Sequence, residues 1–141
     1  MNVLLLNRQK RQIATKTIKA LLKTALEDLG HRDSEVSLLM TDDAEIRELN
    51  RLYLDRDRPT DVLSFPTDDN TFIGDIAISL DRAAEQAEEQ WDTLTDELAR
   101  LLIHGLLHLL GHEHEEGGRE AEVMFAEERR LMALINDKGL L

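Results

Sequence analysis

The stretch His104-Gly105-Leu106-Leu107-His108-Leu109-Leu110-Gly111-His112-Glu113-His114 decides how the rest of the chain is read. Leucines fill the intervals between its first histidines, which predicts a largely buried helix carrying a few polar groups. His104 and His108 are four residues apart. On a helix that spacing is about 400° of rotation and roughly 6 Å of rise, so both imidazoles leave one face and can share a metal ion. Gly111 stands where such a helix must stop, because glycine accepts the left-handed conformation of a C-terminal cap. The chain can then turn back and deliver His114 as a third ligand.

The chain has no cysteine, so disulfides and thiolate metal sites are excluded and a transition metal must sit on histidine and carboxylate. Three neutral imidazoles suit one zinc ion per chain, bound at roughly 2.0–2.1 Å with the fourth position left to water. Such an ion lowers the pKa of its water to about 7 and supplies a nucleophile at neutral pH. Nickel, copper and iron also accept imidazole. The spacing H-x3-H-x2-G-x2-H is that of the metzincin zinc proteases, with one change. Gly105 stands where those proteases carry the general-base glutamate.

With 141 residues, 42% hydrophobic and 33% charged, the chain reads as one ordinary globular domain over residues 1–141. Val3-Leu4-Leu5-Leu6 is too short for a signal peptide core, and no run approaches the roughly 18 apolar residues of a membrane span. A cytoplasmic protein without a membrane partner is expected. The net charge of −12 opposes nucleic-acid binding by the chain as a whole. Residues 1–32 nevertheless hold seven basic and two acidic side chains, and Lys16, Lys19 and Lys23 share a helix face there. That face is either a local RNA contact or a solvated helix side.

Taken in order, Val3–Leu6 predicts a buried or edge strand. Thr15–Leu29 predicts a helix with Ile18, Leu21, Leu22, Ala25 and Leu29 inward, ended by Gly30. Glu35–Met40 is a strand. Asp42 and Glu45 frame a helix to Leu54 with Ile46, Leu49 and Leu52/Tyr53 inward. Pro59 breaks a charged loop, Val62–Phe65 is a strand, Asp68-Asp69-Asn70 a turn, and Phe72–Ser79 a strand. Asp81 is expected to cap a helix to Gln90, Thr95 to open the metal helix, and Arg119–Ile135 to form the last helix. This order predicts an α+β fold: a small mixed β-sheet of about four strands packed with about five helices, with a zincin-like metal helix.

His104 to His114 resembles the H-G-x-L-H-L-x-G-(Y/H)-D-H signature of the YbeY family, metal-dependent endoribonucleases of ribosomal RNA maturation. Asn50 with Tyr53, Pro59-Thr60-Asp61-Val62-Leu63-Ser64-Phe65 and Gly74-Asp75-Ile76-Ala77-Ile78-Ser79 are similar to that family too, in the same order. The resemblance implies an α+β fold with the metal at a cleft, and His104, His108 and His114 as ligands. It also implies single-strand cleavage in 16S rRNA 3′-end maturation and ribosome quality control, with the small ribosomal subunit and its assembly factors as partners. Two positions depart from the family. Leu54 replaces an arginine that holds substrate phosphate there, leaving Arg56 or Arg51 as substitutes, and Glu113 stands where aspartate is usual.

Glu113, Glu115, Asp61 and Asp75 are the candidates for proton removal from an attacking water, with Asp61 and Asp75 read as turn and backbone-capping carboxylates. His112 is read as supporting a ligand or packing, His31 as a surface turn residue, Met124 as core and Trp91 as a packing anchor between helices. The alternatives are a non-catalytic ribosome-assembly factor with a structural metal and a metzincin-like peptidase. Gly105 weighs against the latter.

Overall fold

The computed structural model describes residues 3–69, 71–115 and 117–141; Asn70 of the expected turn lies outside them. Its elements are β1 (Val3–Asn7), α1 (Thr15–Asp28), β2 (Glu35–Thr41), α2 (Asp43–Leu54), β3 (Val62–Pro66), β4 (Phe72–Ser79), α3 (Leu80–Glu89), α4 (Leu94–Leu109) and α5 (Gly118–Asp137). The strands form one sheet in the order β1-β2-β4-β3. β1, β2 and β4 run parallel and β3 is antiparallel, so this is the small mixed α+β sheet that the pattern predicts.

Strand alternation divides the apolar residues between two faces. Val36, Leu38 and Met40 of β2 join Ile76 and Ile78 of β4 in the main core, with residues of α1, α4 and α5. Leu39, Leu63, Phe65 and Ala77 point the other way and meet Ile46 and Leu49 of α2. Helix α4 is buried along most of its length, which explains why its sequence is apolar almost all round.

The caps fall two residues earlier than the sequence suggests. Thr93, not Thr95, caps α4 by accepting from Asp96 N at 3.1 Å. Ser79, not Asp81, caps α3, while the Asp81 carboxylate accepts from Asp43 N at the start of α2. In both cases the last residue of extended backbone carries the hydroxyl, and the nearby carboxylate was the more conspicuous residue. Two packing expectations also fail. Leu52 and Tyr53 are 58% and 68% exposed, Tyr53 meeting Phe65 edge-on at 5.7 Å, and it is Asn50, 2% exposed, that turns inward. Trp91 is 96% exposed: it takes a left-handed turn (φ 59°) between α3 and α4 and anchors nothing.

Gly74 fixes where the end of α4 meets the sheet. Its φ is +146°, and a Cβ there would lie 2.4 Å from the Phe65 carbonyl oxygen and 2.8 Å from Leu109 Cδ2. We expect Gly74→Ala to lower the unfolding free energy by about 2–4 kcal/mol, backbone strain and overpacking adding together. Urea denaturation checks this, and an unchanged midpoint would show that strand and helix separate freely at that point.

Candidate metal centre and its cleft

Helix α4 presents His104 and His108 from its last two turns, and the chain then reverses through Gly111 (φ 97°) to bring back His114. The three rings stand 4.7, 4.8 and 4.9 Å apart, centroid to centroid, with one potential ligand atom from each within 4.8 Å of the others. His104 Nδ1 donates to the Glu128 carboxylate of α5. His108 Nδ1 donates to the His112 carbonyl oxygen at 2.9 Å. With both Nδ1 atoms protonated, the two Nε2 atoms face one another at 3.1 Å as lone pairs. Lone pairs so placed repel unless a cation lies between them. Tetrahedral coordination by imidazole puts neighbouring nitrogens roughly 3.3 Å apart, so this donor set fits a metal ion. His114 Nδ1 is buried without a hydrogen-bond partner among the described residues, a further group that a metal-binding environment would accommodate.

Burial holds the His108 pKa below the ordinary histidine value, and the neighbouring His104 and His114 push the same way against the His112 carbonyl. The neutral imidazole is the ligand form, so protons compete for this site only at lower pH. In the metal-free protein the His108 ring should therefore titrate below a free histidine when followed by NMR; titration at or above that value would contradict the geometry.

Glu128 is the residue that sequence reading missed. The buried positions of α5 are Ala121, Met124, Leu131 and Ile135, and Glu128 falls on the same helical stripe, four residues after Met124. A glutamate on the apolar stripe was the available sign, hidden among the many acidic residues of that helix. Its carboxylate sets the His104 tautomer and points Nε2 at the shared centre. Glu128→Gln should weaken metal binding about 10–100-fold in a chelator competition while the fold is retained. Unaltered affinity would make the contact incidental.

The histidines form one wall of a cleft of about 520 Å³ whose other wall holds Leu54, Arg56 and Arg58. Glu113 and Glu115 also line it. Glu113 is exposed and has no hydrogen-bond partner among the described residues, whereas Glu115 reaches Arg56 at 3.8 Å. Asp61 plays the turn role expected of it: Oδ1 accepts from Val62 N at 2.8 Å and Oδ2 from Gln86 Nε2 at 3.3 Å. Asp75 does not cap backbone; it lies across the sheet, in a groove beside Leu39 and Tyr53. Arg51 pairs with Glu48 and does not line the cleft.

His112 acts through its carbonyl and Met124 is fully buried, while Phe125 meets the His114 ring edge-on at 6.3 Å. His31 follows α1, its N–H bonded to the Leu26 carbonyl at 2.8 Å. Gly105 faces the sheet, not the histidines. A Cβ there would lie 3.1 Å from Ile76 Cγ2 and 3.2 Å from both Ser64 Oγ and Val62 Cγ2.

A family model described as endoribonuclease YbeY matches residues 4–136. The chain is 43% identical to the endoribonuclease YbeY of Geobacter sulfurreducens over the full length of both. It is 44% identical to that of Aquifex aeolicus, with 84% of this chain and 82% of that one aligned. A solution structure of a protein from Thermotoga maritima is similar with a TM-score of 0.69 at 27% identity, covering 96% of this chain and 90% of that one. No helix among the described residues is long and apolar enough to cross a membrane.

Proposed function

The chain belongs to the YbeY family of endoribonucleases, and from that premise we propose that it is a zinc-dependent endoribonuclease acting on single-stranded RNA. Its place is the 3′-end maturation of 16S rRNA and ribosome quality control in the cytoplasm. It works there as a single domain, with the small ribosomal subunit and its assembly factors as partners. The observation that carries the metal-dependent part of this reading is the facing pair of Nε2 atoms, each held by a protonated Nδ1 on the far side of its ring.

His104, His108 and His114 would hold the ion. An ion held by these three imidazoles would supply Lewis-acid polarisation and a water ionised near neutral pH. The chain's own residues do the rest. Glu128 and the His112 carbonyl fix two imidazoles in the tautomer that faces the cleft. Leu106, Leu107 and Leu109 are buried behind the site and keep water from its core side. Glu113, exposed on the cleft beside His114, would accept a proton as the nucleophile forms. Arg56, which also lines the cleft, would add positive charge along the path of the RNA backbone. The peptidase alternative lacks its base, since position 105 points into the sheet and has no room for a glutamate.

Cleavage of a single-stranded RNA oligonucleotide should disappear with a chelator, return with zinc, and be lost by at least about 10³-fold in His108→Ala. A duplex of the same sequence should resist. A metal-loaded, folded protein that cleaves neither would favour the non-catalytic assembly factor.

A further inference from the structure

We infer that Arg58, rather than Arg56, is the residue that grips the substrate phosphate next to the cleavage point, on the cleft wall facing the histidines. The inference rests on the endoribonuclease reading and goes beyond it in naming how the chain holds its polyanion. The cleft needs such a grip. The whole chain carries −12, and Glu113 and Glu115 stand on the same side as His114. A strand of phosphates entering the site must therefore find its positive charge on the other wall.

That wall is built from the end of α2 and the loop after it. Leu54, the last residue of the helix, lines the cleft and offers only apolar surface. The chain leaves the helix through Asp55 in the left-handed conformation (φ 55°). Arg56 N then donates to the Asn50 carbonyl at 3.2 Å and Arg58 N to the Arg56 carbonyl at 3.0 Å. Asn50 completes the arrangement: its buried amide donates to the Arg58 carbonyl at 2.9 Å. An unpaired amide at that depth would be costly, so the bond fixes both partners. It holds the Arg58 backbone against the cleft. Asn50 Oδ1, buried too, has no partner among the described residues.

Two arginines line the cleft, and their side chains differ in what they already hold. Arg56 is within 3.8 Å of Glu115, on the loop beside His114, an exposed contact whose carboxylate competes with a phosphate for the same charge. Arg58 has no carboxylate partner among the described residues. Its fork of donors is free for a bidentate phosphate contact, the geometry that distinguishes arginine from lysine. Arg51 is excluded on both counts, being paired with Glu48 and outside the cleft.

Single-turnover cleavage of a short single-stranded RNA by the metal-loaded protein tests this, with rate followed against protein concentration for wild type, Arg58→Ala, Arg58→Lys and Arg56→Ala. Arg58→Ala should raise the half-saturating concentration about tenfold and leave the limiting rate within a few-fold. Its salt dependence should flatten by about 0.7 in the log–log slope, one phosphate contact on a single strand. Arg58→Lys should keep the slope and recover only part of the affinity, because charge is retained and the fork is lost. Arg58 is exposed, so bound metal per chain and the thermal midpoint should match wild type in each variant. Half-saturation and slope unchanged in Arg58→Ala would overturn the inference, all the more plainly if Arg56→Ala shows the loss instead. A metal-loaded wild type that cleaves no RNA would overturn the endoribonuclease reading, and this inference with it.

Discussion

The close approach of α4 to the sheet governs this structure. At Gly105 the helix backbone comes so near β3 and β4 that even a methyl group would press on Ile76, Val62 and Ser64 at 3.1–3.2 Å. The Ser64 hydroxyl uses that proximity to donate to the Gly105 carbonyl at 2.8 Å. Seated this way, α4 buries Leu102, Leu106 and Leu107 in the main core and turns His104 and His108 outward at the edge of β3. The same contact that stabilises the core therefore aims the metal-binding face. Gly74 completes the fit further along, where the end of α4 passes over the sheet.

A metal site made in this way needs supports from elsewhere in the chain, because a helix fixes where an imidazole begins but not which nitrogen it presents. The two supports differ in kind. His108 is held by a carbonyl only four residues on, a by-product of the turn that also returns His114. His104 is held by a carboxylate 24 residues on, delivered by packing α5 against α4. Loosening of α5 would release the His104 ring while leaving α4 intact. The C-terminal helix is in this sense part of the site, though it contributes no ligand.

The cleft is polar by construction: it is lined by Glu113 and Glu115 from the His114 loop and by Arg56 and Arg58 from the loop after α2. On a chain of net charge −12, that local division matters more than the sum, since charges within a screening length of roughly 8 Å act on a bound phosphate and distant ones are attenuated. The loop after α2 is held by Asn50 and by a left-handed aspartate, so its arginines sit on a fixed scaffold.

The sequence by itself determined the periodic and the local: the four strands, the five helices, the α+β class, and a histidine triad close enough to share an ion. Helical and strand periods follow from backbone geometry, and the i, i+4 spacing with a terminal glycine is a short-range statement that needs no distant partner. Contacts between remote segments were decided only by tertiary structure. Glu128 meets His104 because α5 packs on α4, and Asn50 replaces Leu52 and Tyr53 on the inner side of α2 because a loop carbonyl there requires a donor. Gly105 shows both contributions. Its place after the first histidine was visible as a missing base, but its reason, a helix pressed onto two strands, exists only once the chain has folded.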